Sequence, residues 1–147
     1  MSRAIECAVE VDTTPLDVWS VLTDLDAYPQ WHPHIGVASG EIVVGERVMF
    51  RMTPPGRRAF TIRPKVVCAE PGRRLHLVGE VPGLFRGEHT FELEQLDSGK
   101  RTRLLQGETY RGLIALLIPR TIAANRREFA EANQALKSRV EQRRADL

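Results

Sequence analysis

Four polar residues in the second half of the chain have the types and spacing to act together: His89, Gln106, Glu108 and Tyr110. They sit in two alternating runs, 85–96 and 101–110, joined by the turn signal Asp97-Ser98-Gly99-Lys100. With Ser98-Gly99 as a two-residue hairpin turn, Leu93 faces Leu104, Phe91 faces Gln106 and His89 faces Glu108. Phe85, Phe91, Leu93 and Leu104 then share one face with the four polar residues. Arg86, Glu88, Glu92, Glu94, Arg103 and Thr109 take the other, a solvent face. An unpaired carboxylate on the inner face would cost several kcal/mol. Glu108 therefore needs a partner, and His89 lies opposite with Cβ atoms ~5 Å apart. A hydrogen-bonded His89–Glu108 pair is expected, with the carboxylate favouring the protonated imidazole. Such a pair can anchor a ligand, transfer a proton to and from a carbonyl-bearing substrate, or be a self-satisfied structural element.

The element that must cover this face is a long helix. From Pro119 to about Arg144 there is no internal Gly or Pro, and Ile118, Ile122, Phe129, Ala132, Leu136 and Val140 recur at helical spacing. At ~1.5 Å per residue it spans roughly 35–40 Å, and its apolar stripe must lie on the sheet. Asn125 and Asn133 flank that stripe and need hydrogen-bond partners in the sheet, water or a ligand.

The first third supplies the other elements. Residues 3–11 alternate as a half-buried strand, with Ile5, Cys7, Val9 and Val11 on its apolar face. Thr14 is placed to cap a short helix with Pro15 at its first position and Asp17 in its first turn. That helix runs to about Thr23 and buries Val18, Val21 and Leu22. A second short helix near Leu25–Tyr28 stops at Pro29. Residues 30–40 read as a loop leading into a short strand. Strands then follow at about 47–53, 59–69, 73–80, 85–96 and 101–110, with turns at Pro54-Pro55-Gly56, Pro71-Gly72 and Pro82-Gly83. Turn arithmetic at Pro71-Gly72 pairs Cys68 with Leu75 and Val66 with Leu77. Val48, Phe50 and Met52 share a side, opposite Arg51.

Bulk properties exclude several classes. The 147 residues fit one domain, 1–147, with a real core; 42% are hydrophobic, 27% are charged and the net charge is +2. Basic pairs such as Arg57-Arg58 and Arg126-Arg127 are dispersed, without the concentrated aromatic-studded patch of a nucleic-acid surface. Two cysteines make no disulfide framework, and Cys7 and Cys68 read as core thiols. The N-terminus lacks the apolar core of a signal peptide, so a cytoplasmic protein is expected. Leu113–Ile118, the longest apolar run, is far too short to span a bilayer and is read as the buried start of the long helix. His32-Pro33-His34 has no third ligand in sequence reach, so no metal is expected; loop histidines beside Trp31 suit a pocket entrance. No nucleophile elbow and no phosphate-cradling glycine loop occurs. No cofactor is implied.

The order and spacing of these segments resemble the START/polyketide-cyclase superfamily, with the helix-grip fold shared with the birch-pollen allergen. The resemblance rests on Thr14-Pro15-x-x-Val18-Trp19 and Tyr28-Pro29-x-Trp31-x-Pro33. It continues in Gly87-Glu88-His89-x-Phe91-x-Leu93, Gly107-Glu108-x-Tyr110-x-Gly112-Leu113 and Phe129-x-x-x-Asn133-x-x-Leu136-Lys137. It implies an α+β helix-grip fold: a curved antiparallel sheet of six to seven strands, two short helices and one long C-terminal helix. It also implies a hydrophobic cavity between sheet and helix. The expected function is binding of an apolar or amphipathic small molecule of lipid, polyketide or aromatic type. Expected walls are Phe50, Met52, Phe60, Ile62, Leu77, Phe91, Phe129 and Leu136, with Trp31 at the entrance. Expected anchors are His89, Gln106, Glu108, Tyr110 and Asn133. The alternatives are a cyclase or dehydratase using His89 and Glu108 as an acid–base pair, and a protein-interaction module with a filled pocket. A monomer or homodimer without nucleic-acid or integral-membrane association is expected.

Overall fold

A computed structural model describes residues 2–112 and 119–146, with side chains described from Ala4 to Gly112 and from Arg126 to Asp146. Leu113–Ile118 lie outside the described residues, as do the side chains of Ile118, Ile122 and Asn125. Among the described residues there are eight strands: β1 (Ser2–Val11), β2 (Ile35–Ser39), β3 (Met49–Met52), β4 (Phe60–Ile62), β5 (Lys65–Glu70), β6 (Arg74–Val81), β7 (Phe85–Leu96) and β8 (Arg101–Gly112). Helix α1 spans Pro15–Thr23, a 3-10 helix spans Leu25–Gln30 and the long helix α2 spans Pro119–Ala145. The architecture is α+β.

The strands form a five-stranded antiparallel sheet, β1-β8-β7-β6-β5, and a three-stranded sheet, β2-β3-β4. The expected strand 59–69 is thus two strands in two sheets. Pro64 interrupts it: proline donates no ladder hydrogen bond and constrains the residue before it. The break does not separate the sheets. The Pro64 carbonyl accepts from the Val48 N–H at 3.0 Å, and Arg47 bridges to Lys65.

Helix α1 forms as its sequence dictates. The Thr14 hydroxyl accepts from the Asp17 N–H at 3.2 Å, Pro15 opens the first turn, and Val18, Val21 and Leu22 are buried. Thr102, fully buried, donates from its hydroxyl to the Thr13 carbonyl at 2.8 Å and ties the start of α1 to β8.

Register decides which side chains face α2. The β7–β8 pairing follows the expected register throughout, with Leu93 opposite Leu104, Phe91 opposite Gln106 and His89 opposite Glu108. The connection itself is longer than a two-residue turn: pairing stops at Leu96–Arg101, and Asp97 and Ser98 take left-handed conformations. The β5–β6 hairpin departs further. Arg73 closes a three-residue turn on Glu70, and a bulge between Val66 and Cys68 then restores the register. Val66 pairs with Leu77 as expected, but Cys68 pairs with His76, not Leu75. That one-residue offset puts Cys68 on the opposite face from Val66, where its thiol contacts Glu70 at 3.7 Å. Cys68 is therefore not a core thiol.

Helix α2 lies along β1 and bonds to its backbone. Asn133 donates to the Cys7 carbonyl at 3.2 Å, and Lys137 donates to the Glu10 carbonyl at 2.7 Å. Glu141 accepts from the Asp12 N–H at 2.9 Å. Beneath this seam Leu136 and Val140 join Val9, Val11, Val18, Val21 and Leu104 in one buried cluster. A second cluster fills the space between the 3-10 helix, the small sheet and β5–β6. A third pairs Ile5 and Tyr110 with Phe85 and Phe129. Among the described residues, no helix is long and apolar enough to cross a membrane.

Candidate functional site

The adjacent strands β7 and β8 bring His89 and Glu108 directly opposite each other. His89 Nδ1 lies 3.1 Å from Glu108 Oε2, and Gln106 Nε2 lies 2.9 Å from His89 Nε2. The chemistry of these groups assigns the protons. A carboxylate only accepts, so Nδ1–H donates to Glu108, while the Gln106 amide engages Nε2. Both nitrogens of His89 are thereby engaged.

Two aromatic rings hold the imidazole. Phe91 stacks on it at a 4.7 Å centroid distance and 30°, and Phe129 from α2 packs at 5.1 Å. The inner face is closed at one end, where Leu104 is 0% exposed, and incompletely covered here, where the side chains of His89 and Glu108 are 24% and 20% exposed. The site is a polar cluster between aromatic rings on a partly open inner face.

The other expected residues separate into groups. Phe50, Leu77 and Leu136 are buried walls. Met52 and Trp31 are partly buried against the same core. The Trp31 indole packs on Tyr28 at 4.8 Å and on His32 at 5.3 Å, and its Nε1–H is buried without a partner among the described residues. Tyr110 is buried and packs on Phe85 at 6.0 Å. Asn133 is 2% exposed, and its amide fastens α2 to β1 at Cys7, which makes it a positioning residue for the helix. Phe60 and Ile62 do not form an enclosed wall. They share a face with Met52 and Phe50 through cross-strand pairing, but β4 is an edge strand and they are 47% and 39% exposed. They stand at the rim.

The loop after the 3-10 helix contributes more than its sequence indicated. His34 is buried, and its Nε2 lies 2.8 Å from Glu131 Oε2 on α2. His32 Nδ1 accepts from the His34 N–H at 3.1 Å, and its ring stacks on Tyr28 at 5.8 Å and 10°. Nearby, Arg57 reaches Glu128 at 2.5 Å and ties the β3–β4 connection to α2. The apolar–polar alternation that located His89 has no counterpart in a loop. Only the i, i+3 placement of Glu128 and Glu131 on one helix face signalled that this stretch of α2 receives partners.

Burial, then the neighbouring His34 and His89, push the His32 pKa down to about 3. The sign follows by linkage. Well above pH 6.5 both folded and unfolded His32 are neutral, and the group has no effect on stability. Between pH 6.5 and 3 the unfolded imidazole takes a proton that the folded one refuses, so stability is lost as pH falls, by up to ~1.4 kcal/mol per pH unit. His32→Phe is expected to flatten the decline of Tm between pH 6 and pH 4, measured by thermal melts across that range. An unchanged slope would contradict this burial of His32.

Among the described residues, no three His, Cys, Asp or Glu side chains converge as a metal site. A surface recess of about 370 Å³ lies among Trp19, Thr23, Gly40, Glu41, Ile42, Ala69 and Pro71, and shares no residue with the His89 cluster.

A long helix held in a curved antiparallel sheet, with polar groups on the inner face, defines the helix-grip class. The chain belongs to the polyketide cyclase/dehydrase and lipid transport family, whose model matches residues 3–141. Solved structures agree on the fold. A START superfamily protein from Mycobacterium smegmatis is 19% identical with a TM-score of 0.77, covering 95% of this chain and 97% of that one. The Zhui aromatase/cyclase from Streptomyces sp. R1128 is 20% identical with a TM-score of 0.78, covering 97% and 96%. The di-domain ARO/CYC StfQ from the steffimycin biosynthetic pathway is 20% identical with a TM-score of 0.71, covering 99% of this chain and 53% of that one. No curated protein matches the chain.

Proposed function

We propose that this chain binds a hydrophobic or amphipathic small molecule between the sheet and α2. One observation carries the reading. On the inner face, where a sealed core would exclude polar groups, His89, Gln106 and Glu108 form a connected cluster between Phe91 and Phe129 and retain exposure. Apolar contact with the rings supplies most of the affinity and the polar cluster orients the ligand. The family match and the aromatase/cyclase neighbours support the same general role.

A cyclase- or dehydratase-type reaction is the second reading, favoured by one specific feature. Glu108 holds His89 through Nδ1, which is how a carboxylate orients a general base. Against it, Gln106 occupies Nε2, so catalysis would require that amide to move aside.

Titration with the neutral fluorescent probe N-phenyl-1-naphthylamine tests the binding reading. Saturable enhancement is expected, weakened about tenfold in Phe129→Ala through lost apolar contact. Native mass spectrometry of protein purified from its own host should show a retained small molecule. No saturable binding and no retained molecule would defeat the proposal. Turnover lost in His89→Ala and Glu108→Gln with binding retained would move the assignment to the enzyme.

A further inference from the structure

The surface recess at the β5–β6 turn lies outside the sheet–helix interior and has a construction of its own. Three segments wall its roughly 370 Å³: α1 through Trp19 and Thr23, the loop after β2 through Glu41 and Ile42, and the end of β5 through Ala69 and Pro71. That volume suits a small ligand. Backbone bonds fix the walls. The loop hangs on β5 through the Gly45 N–H, which donates to the Val66 carbonyl at 2.9 Å, and the Val66 N–H, which donates to the Glu46 carbonyl at 2.8 Å. The Val43 N–H closes on the Glu41 carbonyl at 2.9 Å and holds that residue in a tight turn. Leu16, Trp19 and Thr23 stand at i, i+3 and i+7, so one stripe of α1 serves the recess. Leu16 lies against the β5–β6 turn, where a Cβ on Gly72 would meet its Cδ2 at 3.1 Å, yet it is 64% exposed.

The charges around this recess have one sign. Among the described residues, none that lines it is basic, and Glu41 forms no ion pair and no side-chain hydrogen bond. Helix α1 ends here at Thr23 with no basic residue in its last turn and Asp24 directly after it. The carbonyl end of a helix carries partial negative charge, and Asp24 has no ion-pair partner among the described residues either. The Thr23 hydroxyl is already spent on the Trp19 carbonyl at 2.8 Å. What remains is an indole ring, the side chain whose face attracts cations most strongly, beside a carboxylate that lacks a counter-ion.

We propose that this recess is a second ligand site, separate from the sheet–helix interior, and that it takes a small organic ammonium ion. The cationic head lies on the Trp19 ring beside Glu41, and its alkyl groups extend toward Ile42, Pro71 and the uncovered Leu16. A bare metal ion does not suit the site, because among the described residues no three acidic, histidine or cysteine side chains converge to ligate one. An alkylated nitrogen keeps its charge while its methyl groups pack on the ring, so it satisfies the carboxylate and the apolar walls together. A neutral molecule of the same shape gains only the apolar part, and an anion meets Glu41 with like charge.

The chain has two tryptophans, so a proton–nitrogen correlation spectrum carries two indole cross-peaks, which Trp19→Phe assigns by deleting one. Titration with choline at neutral pH is expected to move the Trp19 peak along a saturable curve. The Trp31 peak, whose N–H is buried and whose ring packs on Tyr28 and His32, should stay in place. The uncharged isostere 3,3-dimethylbutan-1-ol should bind about tenfold more weakly, and 3,3-dimethylbutanoate should not bind. Glu41→Gln, at an exposed position, should leave the rest of the spectrum unchanged, weaken choline about fivefold and leave the alcohol unaffected. High salt should weaken choline on the wild-type protein in the same sense. No saturable movement of the Trp19 peak, equal affinity for choline and the alcohol, or undiminished choline binding in Glu41→Gln would overturn the inference. Movement of the Trp31 peak alone would overturn it too, by placing the cation elsewhere. The N-phenyl-1-naphthylamine titration reads the sheet–helix interior separately, so either site can fail without the other.

Discussion

Replacing Leu136 by alanine is expected to cost about 3 kcal/mol and to lower Tm by roughly 10 °C. Leu136 is 2% exposed and sits where α2 meets both α1 and the sheet, among Val9, Val18, Val21 and Leu104. The cavity left by three missing carbons cannot collapse easily. Its walls belong to β1, α1 and β8, which are fixed by the ladder and by the Thr102–Thr13 hydrogen bond. Val140→Ala, one turn further along the same face and also 2% exposed, should cost less because fewer atoms are removed. Thermal and urea denaturation monitored by circular dichroism measure both. A Tm change under 3 °C for Leu136→Ala would mean that α2 is not seated as described.

Gly112→Ala is expected to be the most damaging glycine substitution in the hairpin that carries the site. Gly112 ends β8 opposite Phe85 with φ +103°, where side chains are strained, and a Cβ there would lie 2.3 Å from the Leu84 carbonyl oxygen. The obstacle is backbone, so the end of the β7–β8 hairpin must open. Phe85 would then lose its place against Tyr110, and the Glu108 end of the sheet would loosen. Gly45 provides the control: its φ is +96°, but a Cβ there meets nothing within 4 Å. Gly45→Ala reports the conformational strain alone, on the order of 1 kcal/mol, and Gly112→Ala should exceed it by at least about 2 kcal/mol. Equal losses in the two variants would show that the contact with Leu84 relaxes freely.

The hairpin that carries the site could be read from the sequence because strand alternation and turn position are linked. Once the turn is placed, every cross-strand partner follows, and one slip would have put Glu88 and Glu92 on the inner face. The true connection is longer than expected, but it is symmetric about the same point, so His89 still meets Glu108. The β5–β6 hairpin lacked this protection. A bulge adds a residue to one strand without any mark in composition, and Cys68 changes faces as a result. Pro64 was visible, yet the apolar residues on both sides of it read as one continuous strand. Contacts made by loops were the least accessible. His34 with Glu131 and Arg57 with Glu128 join residues far apart in sequence through segments with no periodicity to extrapolate. The spacing of Asn133 puts it near the apolar stripe of α2, but nothing in that spacing distinguishes a ligand contact from a bond to the β1 backbone.

The position of β1 has a consequence for how the chain acquires its structure. Ser2 pairs with Arg111 and Val11 with Thr102, so the first strand finds its partner only after about a hundred residues have followed it. The β5–β6, β6–β7 and β7–β8 hairpins, whose partners are near in sequence, can assemble earlier. At ~5–20 residues per second on a ribosome, β1 waits many seconds with Ile5, Val9 and Val11 uncovered. Its bonds to α2 wait longer still, because Asn133 and Lys137, which donate to its backbone, are made later. Glu6 and Glu10, interleaved among those apolar side chains, supply the charge that discourages two nascent copies from pairing through this strand.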